Sequence, residues 1–315
     1  MPIERDLRGY GRARPDVVWP NGARVAVSLV VNFEEGAELA VEQGDAETER
    51  YGEVASTSPP GVRDLVQEQV FDYGMRAGLW RFLDAFAEAD VRSTFMMCGR
   101  AVERVPDLAR AVTEAGHEPA VHGWRWLPHA LYGDAETERR DIERTRDVIT
   151  LATGVTPVGF MTRGSQSAWT RDLLAELGFA YDSNALDDDL PYWSRTPKGS
   201  MLVLPYGFDT NDMKFFHPNG FVQPEDFSNY VSAALAMLVE EAERGRSSML
   251  SIGFHLRICG RPARFRAVKA ILAELKRLDR CVWVATRADI AAHFREAALA
   301  RQGRCQSQPA SKPAG

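Results

Sequence analysis

Histidines, acidic residues and an arginine follow several short apolar runs of this sequence. His122 closes "EPAVH", His255 closes "SIGFH", and Glu34 and Glu35 follow "RVAVSLVVNF". The other polar residues in equivalent positions are Arg163, Asp182, Asp209 and Asp212. Carboxylates beside imidazoles and a guanidinium can activate water, protonate a leaving group and stabilise an oxyanion. This combination of side chains is typical of a hydrolase.

The stretch "AVHGWRWLPH" at residues 120–129 contains half of a common zinc-binding pattern. A second histidine four places after His122 would complete the pattern, but Trp126 occupies that position. An indole N–H only donates a hydrogen bond, so Trp126 supplies no lone pair to a metal ion. His129 comes seven residues after His122 and follows Pro128, so it could replace the missing ligand only through a favourable loop. The stretch alone leaves three interpretations open: a metal site, a site that has lost its metal, and ordinary structure.

Each candidate also has a purely structural interpretation. Glu34 and Glu35 could begin a solvated loop, His122 could bind a backbone carbonyl, and Arg163 could pair with an acid such as Asp182. The tryptophans (Trp124, Trp126 and Trp193) are more often packing residues than substrate platforms. Their common placement after predicted strands favours a shared site over these separate explanations.

Strand-like and helix-like segments alternate along most of the chain. We count eight strand candidates, starting with Arg24–Phe33, and nearly all are separated by amphipathic helices. Such alternation predicts a parallel sheet, and eight units in a chain of this length suggest a (β/α) barrel. An open doubly wound sheet is the alternative. In a barrel the carboxyl ends of the strands carry the chemistry, so the candidate residues should converge at one mouth.

Composition excludes several function classes. The 315 residues are 45% hydrophobic and 26% charged, as in an ordinary globular protein. A net charge of −6 without a basic block argues against nucleic-acid and membrane-surface partners. There is neither a G-x-G-x-x-G nor a G-x-x-x-x-G-K pattern. The absence of an apolar leader and the four scattered cysteines, interpreted as free thiols, predict a cytoplasmic protein.

The predicted domain organisation is simple. Residues 1–300 are expected to form one barrel domain, and the Ser/Pro/Gln/Gly-rich residues 301–315 a disordered tail. The polar stretch 37–61, between the first strand and the first helix, is expected to be a lid or an oligomer contact.

Several long segments have an unusual composition. They include "RDLRGYGRARPDVVWPNGARVAVSLVVNFEEGAE", "VERVPDLARAVTEAGHEPAVHGWRW", "YDSNALDDDLPYW", "VLPYGFDTNDMKF" and "SIGFHLRICGRPAR". With these segments the chain resembles the polysaccharide deacetylase superfamily, and within it the branch of metal-independent allantoinases and cyclic imide hydrolases. The resemblance extends from about Arg5 to about His293. It implies a distorted (β/α) barrel of the polysaccharide deacetylase type that acts on carbon–nitrogen bonds, often as a homo-oligomer such as a dimer or tetramer.

The resemblance assigns roles to the first two motifs. The metal-dependent members carry Phe-Asp-Asp-Gly where this chain has "FEEG", which aligns Glu34 with their general base and Glu35 with their metal-binding acid. Their His-x-x-x-His ligand pair aligns with His122 and Trp126. A catalytic zinc ion takes three protein ligands and water, whereas Glu35 and His122 are two. The resemblance therefore implies chemistry without a metal, with zinc at Glu35 and His122 as the alternative.

The remaining motifs are less regular. Arg163 falls in the third motif, where an arginine orients the catalytic acid, and Asp182 falls in the fourth. His255 aligns with the histidine that protonates the leaving group. This chain departs from the allantoinase pattern at "MTRGSQSAW" and at "YDSN", where Asn184 replaces an aspartate. Allantoin itself is therefore only one of several candidate substrates, and a cyclic imide is comparably supported.

These residues together give a predicted mechanism without a metal. Glu35, or with less support Glu34, would take a proton from water. His122 and Arg163 would polarise the carbonyl, and His255 would donate a proton to the departing nitrogen. The substrate would be a small cyclic amide, whose strained or electron-poor carbonyl is more reactive than that of a plain acetamide.

Four further residues are predicted to contact that substrate. Trp124 and Trp126 would stack on a flat ring, and Asp182 and Asp209 would line the site. Two other functions stay open at this point. One is a zinc-dependent N-deacetylase of a polysaccharide or peptidoglycan fragment, and the other is a non-catalytic barrel that binds a small ligand.

Overall fold

The computed structural model describes residues 5–306, with side chains described as far as residue 298. It contains a single curled sheet with helices packed on its outer face. The strands are β1 (Val25–Phe33), β2 (Thr94–Met97), β3 (Glu118–Val121), β4 (Gly159–Phe160), β5 (Tyr181–Asp182), β6 (Tyr192–Thr196), β7 (Gly199–Val203), β8 (Ser248–His255) and β9 (Val282–Val284).

Helices connect most successive strands, as the sequence predicted. The helices are α1 (Leu65–Tyr73), α2 (Leu79–Ala89), α3 (Gly99–Arg104), α4 (Pro106–Glu114), α5 (Ala135–Thr153), α6 (Thr170–Glu176), α7 (Pro224–Glu243), α8 (Pro262–Arg277) and α9 (Arg287–Gln306). A π-helical turn, Gly74–Gly78, joins α1 to α2. Side-chain caps start several of these helices. Asp64 accepts from two backbone N–H groups at the start of α1, and Asp134 caps α5.

The strands pair in the order β6-β7-β5-β4-β3-β2-β1-β8, and β9 pairs with the first half of β1. Every pairing is parallel except that of β6 with β7, which form a hairpin. Strand β6 and helix α3 were not predicted. Strand β6 is an edge strand with an exposed or half-exposed surface, so it lacks the apolar run that marks the inner strands.

The sheet does not close by a regular strand pair between β6 and β8. The segment after β7 crosses to β8 instead, where Asn211 forms an isolated parallel bridge with Gly253. Thr210 supports this crossing, because its hydroxyl donates to the carbonyl oxygen of Ser251 at 2.6 Å. The fold is therefore a distorted (β/α) barrel, as predicted, rather than an open doubly wound sheet.

Two hydrophobic layers follow from the alternation of side chains along each strand. The odd-numbered residues of β1, such as Val31 and Phe33, pack against the helices. The even-numbered residues, such as Val30, face the barrel interior with Leu204 and Tyr206 from the far side of the sheet. At the carboxyl ends of the strands, the inward-facing side chains therefore border the mouth of the barrel.

A fully buried arginine ties three strand ends together beneath this mouth. Arg287, the first residue of α9, donates to the hydroxyls of Ser183 and Ser251 at 2.9 and 2.6 Å. It also donates to the carbonyl oxygens of Leu204 and Pro205. These bonds satisfy a buried charge and hold the ends of β5, β7 and β8 in register.

The polar stretch 37–61 packs over the loop that follows β3. Thr48 and Glu49 are buried, and Arg125 pairs with Asp45 at 2.5 Å. The stretch therefore covers part of the mouth, which is where a lid would lie. Its role as a lid or an oligomer contact stays a prediction.

Two further predictions concern the ends of the domain and membrane insertion. Helix α9 continues to Gln306, past the predicted domain end at residue 300, and residues 307–315 of the predicted tail lie outside the described residues. Within residues 5–306, every helix is too short or too polar to cross a lipid bilayer.

Candidate active site

Glu34 lies at the centre of a buried cluster of charges. Its Oε2 accepts a hydrogen bond from Arg257 Nη1 at 2.7 Å. Its Oε1 lies 3.2 Å from Nε2 of His255 and 3.6 Å from Nε2 of His122. Neither ring nitrogen is aligned with Oε1 as a hydrogen bond, so this oxygen is the atom of Glu34 that a ligand can engage.

The charges of this cluster fix the protonation state of Glu34. Burial by itself would raise the pKa of the carboxyl group. The positive charges of Arg257 and His255 outweigh burial and hold the pKa of Glu34 well below its usual value. Glu34 is therefore an ionised carboxylate around neutral pH, as a general base must be.

His255 is held between two carboxylates. Its Nδ1 donates to Asp212 Oδ1 at 2.6 Å, and its backbone N–H donates to Oδ2 of the same residue at 2.8 Å. Burial lowers the pKa of the imidazole, but Glu34 and Asp212 more than compensate and raise the pKa to about 9. His255 is consequently protonated around neutral pH and can donate a proton from Nε2.

His122 faces the Glu34 carboxylate through Nε2, and its other ring nitrogen, Nδ1, contacts the backbone. Its Nδ1 lies 3.1 Å from the carbonyl oxygen of Met161, an atom that only accepts hydrogen bonds. The Nδ1 atom therefore carries a proton, and in the neutral ring Nε2 is an acceptor directed toward Glu34. In this tautomer Nε2 can accept a hydrogen bond from a water molecule. The role predicted for His122 from the sequence, polarising the carbonyl, stays a prediction.

Glu35 lies in the turn after β1 and, unlike Glu34, does not line the cavity. Its Oε1 accepts from the backbone N–H of Arg257 at 3.0 Å, and its Oε2 accepts from the backbone N–H of Glu34 at 3.2 Å. Gly74 of the π-helical turn leaves room for this carboxyl group. Burial raises the pKa of Glu35 to about 7. Glu35 therefore braces the site from behind. This placement favours Glu34 over Glu35 as the base, and the role predicted for Glu35 stays a prediction.

The guanidinium of Arg163 pairs, hydrogen-bonds and stacks with other groups of the protein. It pairs with Glu49 at 2.6 Å, donates to the carbonyl oxygen of Trp126 at 3.1 Å and stacks on the Trp126 ring at 3.7 Å. The side chain still borders the cavity described below. Its placement connects the 37–61 stretch to the indole that replaces the second histidine.

The two tryptophans of "HGWRW" have different environments. Trp126 borders the cavity, with Arg257 4.7 Å from its ring on one side and Phe71 packed edge-on. Trp124 packs on Gly99 and carries the Arg144 guanidinium 3.5 Å above its ring, away from the cavity. The prediction that Trp124 stacks on substrate is therefore not supported, because its ring lies outside the cavity lining.

The two aspartates predicted to contact substrate lie in different places relative to the cavity. Asp182 is the outward-facing residue of β5, where it accepts from Arg171 Nε at 2.8 Å, and it lies outside the cavity lining. Its neighbour Ser183 faces the cavity instead. Asp209 does border the cavity, at its exposed rim, 3.4 Å from the hydroxyl of Tyr230.

A large cavity opens at the carboxyl ends of the strands. Its volume is about 1720 Å³. The floor includes Glu34, His122 and His255, and the walls include Arg163, Trp193 and Lys214. The sequence-predicted residues at its floor thus converge, as a barrel requires.

Comparisons with known proteins agree with this arrangement. The family described as polysaccharide deacetylase matches residues 65–181. A Schizosaccharomyces pombe (strain 972 / ATCC 24843) protein described as "Putative polysaccharide deacetylase" is 36% identical over 308 residues, which cover 91% of this chain and 95% of that protein. The chain belongs to the polysaccharide deacetylase family.

Two crystal structures extend the likeness to three dimensions. The "probable Polysaccharide deacetylase from Pseudomonas aeruginosa PAO1" is 41% identical with a TM-score of 0.86, over 93% of this chain and 98% of that chain. The "Puue Allantoinase" is 39% identical with a TM-score of 0.87, over 93% of this chain and 97% of that chain. This polysaccharide deacetylase family member is accordingly a hydrolase of carbon–nitrogen bonds.

The residues of this deacetylase-family site do not fit a catalytic zinc ion. Both oxygens of Glu35 accept backbone hydrogen bonds, and the Arg257 guanidinium lies 3.6 Å from Glu35 Oε1, where its charge would repel a cation. Trp126 offers no lone pair. Within the described part of the chain, no three His, Cys, Asp or Glu side chains are grouped as metal ligands. Metal-free catalysis itself stays a prediction.

Sequence reasoning assigned no role to several residues of this site. Arg257 stands two places after His255 in "FHLRICG", and a charged residue inside an apolar run is a signal of buried pairing. Asp212 was noted only as a polar residue near a strand end. Asn32 and Tyr206 both border the cavity from inward-facing positions, which the alternation of β1 and of the segment after β7 could have indicated.

Proposed function

We propose that this enzyme opens the ring of a small cyclic amide, an allantoin-like ureide or a cyclic imide, by hydrolysis without a metal ion. The observation that carries the proposal is the pairing of an ionised Glu34 with a protonated His255, 3.2 Å apart at the cavity floor. Such a base and acid are what hydrolysis of an amide needs on its two sides. The likeness to the Puue Allantoinase supports this substrate class.

The first step is attack by water on a ring carbonyl. Glu34 Oε1 takes one proton from the water, whose oxygen forms a bond to the carbonyl carbon. His122 Nε2 accepts the other hydrogen of the water and so orients a lone pair of the oxygen toward the carbon. The arginine pair with Glu34 keeps the carboxylate in place through this step, because Arg257 binds Oε2 and leaves Oε1 free.

The second step is the departure of the ring nitrogen. The tetrahedral intermediate collapses, the carbon–nitrogen bond breaks, and His255 Nε2 donates its proton to the nitrogen. Asp212 stays bound to Nδ1 and keeps the ring oriented. The proton that Glu34 accepted then returns to His255 across the 3.2 Å separation, which restores both groups for the next turnover.

The ring accounts for the reactivity that this mechanism requires. The carbonyl of an imide or a hydantoin is more electrophilic than that of an acetamide, because a second carbonyl withdraws electrons from the shared nitrogen. Less stabilisation of the transition state is then needed, and a carboxylate, an imidazole and an imidazolium suffice. Trp126 offers an aromatic wall to a flat ring at the cavity floor.

The test is a direct assay of ring opening. Purified protein is incubated with allantoin, hydantoin and succinimide, and separately with an N-acetylated chitooligosaccharide, each before and after treatment with a strong chelator. Turnover of at least one ring compound, unchanged by the chelator, is the expected result. Loss of that turnover on chelation, or release of acetate from the oligosaccharide as the main activity, would contradict the proposal.

A further inference from the structure

Three polar side chains beside Glu34 form a cluster that the proposed mechanism does not use. They are Asn32, Tyr206 and Asn211, and all three border the cavity. Asn32 lies two residues before Glu34 on the same face of the strand and pairs in register with His255 across β1 and β8. The cluster is therefore adjacent to both the proposed base and the proposed acid.

The Tyr206 hydroxyl receives two amide donors. Asn211 Nδ2 lies 2.9 Å from it and Asn32 Nδ2 lies 3.4 Å from it. The orientations of both amides follow from their other partners. Asn211 Oδ1 accepts from the Met213 backbone at 2.8 Å, and Asn32 Nδ2 also donates to the carbonyl oxygen of Phe254 at 3.0 Å.

Two donors occupy both lone pairs of the phenol oxygen, so the hydroxyl proton is left to donate. Among the described side chains, none accepts this proton. Burial raises the pKa of Tyr206 far above its usual value, so the proton is retained over the working pH range. The hydroxyl is thus a donor without an acceptor, at the border of the cavity.

Asn32 has an acceptor without a donor, whereas Tyr206 has a donor without an acceptor. Its Oδ1 is buried and has no hydrogen-bond partner among the described residues. A buried carbonyl oxygen without a donor destabilises the folded protein, so native proteins retain one where a ligand or a bound water satisfies it. Asn32 as a whole is 1% exposed, and it borders the cavity.

The lack of a side chain at Gly253 makes room for this cluster. A methyl group at Gly253 would overlap both the Asn211 amide and the Tyr206 hydroxyl. Gly253 lies on the same face of β8 as His255 and forms the bridge with Asn211 that closes the barrel. The absent side chain allows the donor and the acceptor to sit against the strand that carries the proposed acid.

We infer that Tyr206 and Asn32 bind one amide group of the substrate ring. The Tyr206 hydroxyl donates to the oxygen of the carbonyl under attack, and Asn32 Oδ1 accepts from the neighbouring ring N–H. The inference rests on the proposed ring-opening function and narrows its substrate class to rings that carry an unsubstituted –CO–NH– group. An N-alkylated ring would leave Asn32 Oδ1 unsatisfied and would place an alkyl group against it.

The test compares succinimide with N-methylsuccinimide, and hydantoin with its N-methyl derivatives. In the wild type we expect kcat/KM to favour the unsubstituted ring by at least about 100-fold. Asn32→Leu should lower kcat/KM for the unsubstituted ring only, so that the preference for this ring over the N-methyl ring is lost. Asn32→Ser should have the same effect with a smaller change of side-chain shape. Tyr206→Phe should lower kcat for every ring that is turned over by about 10²–10³-fold, as expected for loss of one oxyanion donor.

Tyr132→Phe is the matched control, since that hydroxyl donates to Asp141 at 2.5 Å away from the cavity, and its kinetics should match the wild type. Equal losses on both ring types in the Asn32 variants, or unchanged kcat in Tyr206→Phe, would overturn the inference. If the wild type opens no ring at all, the proposed function fails instead. Calorimetric binding of the same pairs then decides the inference, and equal or absent binding of the two members overturns it.

Discussion

Nδ1 of His255 lies 2.6 Å from Oδ1 of Asp212, while Nε2 of the same ring lies 3.2 Å from Oε1 of Glu34. An imidazole between two carboxylates is stabilised in its protonated form from both sides. The two contacts have different consequences, because Asp212 is bound to the nitrogen that stays protonated and Glu34 faces the nitrogen that can give its proton away. Glu34 and Asp212 therefore both raise the pKa of His255, but only Asp212 is bound to the nitrogen that stays protonated.

The first prediction concerns the alkaline limb of the pH profile. Because the pKa of His255 is raised to about 9, kcat/KM for ring opening should be constant around neutral pH and fall as pH rises through about 9. Asp212→Asn removes one of the two charges that raise this pKa, so the alkaline limb should move to lower pH. Rates measured between about pH 5 and about pH 11 decide the point. Asp84→Asn, the same change on the exposed face of α2, should leave the limb in place, and a limb unmoved in Asp212→Asn would refute the assignment.

The second prediction separates the two adjacent glutamates. Glu34→Gln removes the carboxylate that faces both imidazoles at the cavity floor, so kcat should fall by about 10²–10⁴-fold. Glu35→Gln retains one acceptor toward the backbone behind the site and should reduce kcat far less. The measurement is kcat for both variants, with melting temperatures to show that each is folded. A larger loss in Glu35→Gln than in Glu34→Gln would restore the original assignment of the base.

The third prediction is a dependence of stability on pH that comes from Glu35. The pKa of Glu35 is about 7 in the folded protein against its ordinary value of 4.5, so the folded state binds more protons between these limits. The contribution of Glu35 to the free energy of unfolding is therefore fully present below about pH 4.5 and is lost as pH rises to about 7. Relative to Glu35→Gln, the wild type should lose stability across this window in urea denaturation. A constant difference between the two proteins would show that Glu35 does not titrate there.

The strand ends of this fold, and three of its site residues, could be predicted from the sequence. Glu34, His122 and His255 follow long or regular apolar runs, and the carboxyl ends of parallel strands must meet at one mouth. The errors arise where side-chain direction matters. Strand alternation turns Asp182 away from the cavity, and Glu35 lies in the turn where β1 has already ended. A strand boundary shifted by one residue exchanges the two faces.

Other features depend on contacts between distant parts of the chain. Arg257 meets Glu34 across more than two hundred residues, and Arg163 meets Glu49 from the 37–61 stretch. The sequence around each arginine therefore does not indicate which acid it pairs with. The crossing that places Asn211 beside Gly253 has no apolar run to announce it. Patterns of hydrophobicity predict which residues are buried, but they do not predict which buried charges pair.

The fourth prediction tests the two tryptophans against each other. Trp126 borders the cavity and contacts two arginines, whereas Trp124 lies under Arg144 on the outer side. Trp126→Leu should therefore raise KM for the ring substrate by about 2- to 10-fold, for the loss of an aromatic wall worth about 0.5–1.5 kcal/mol. Trp124→Leu should lower the melting temperature without changing KM. Equal effects of the two substitutions on KM would show that the loop acts as a unit rather than through the Trp126 ring.

The fifth prediction concerns the π-helical turn that packs behind the charge cluster. A methyl group at Gly78 would overlap the carbonyl oxygen of Leu256, the residue between His255 and Arg257. Gly78→Ala should consequently lower the free energy of unfolding by about 1–3 kcal/mol, since backbone cannot move aside as a flexible side chain can. It should also reduce kcat, because the shift displaces both His255 and Arg257. Gly133→Ala is the matched control, as its added methyl group meets nothing within 4 Å. Denaturant titration of both variants measures the difference, and equal stabilities would show that the turn can relax without disturbing β8.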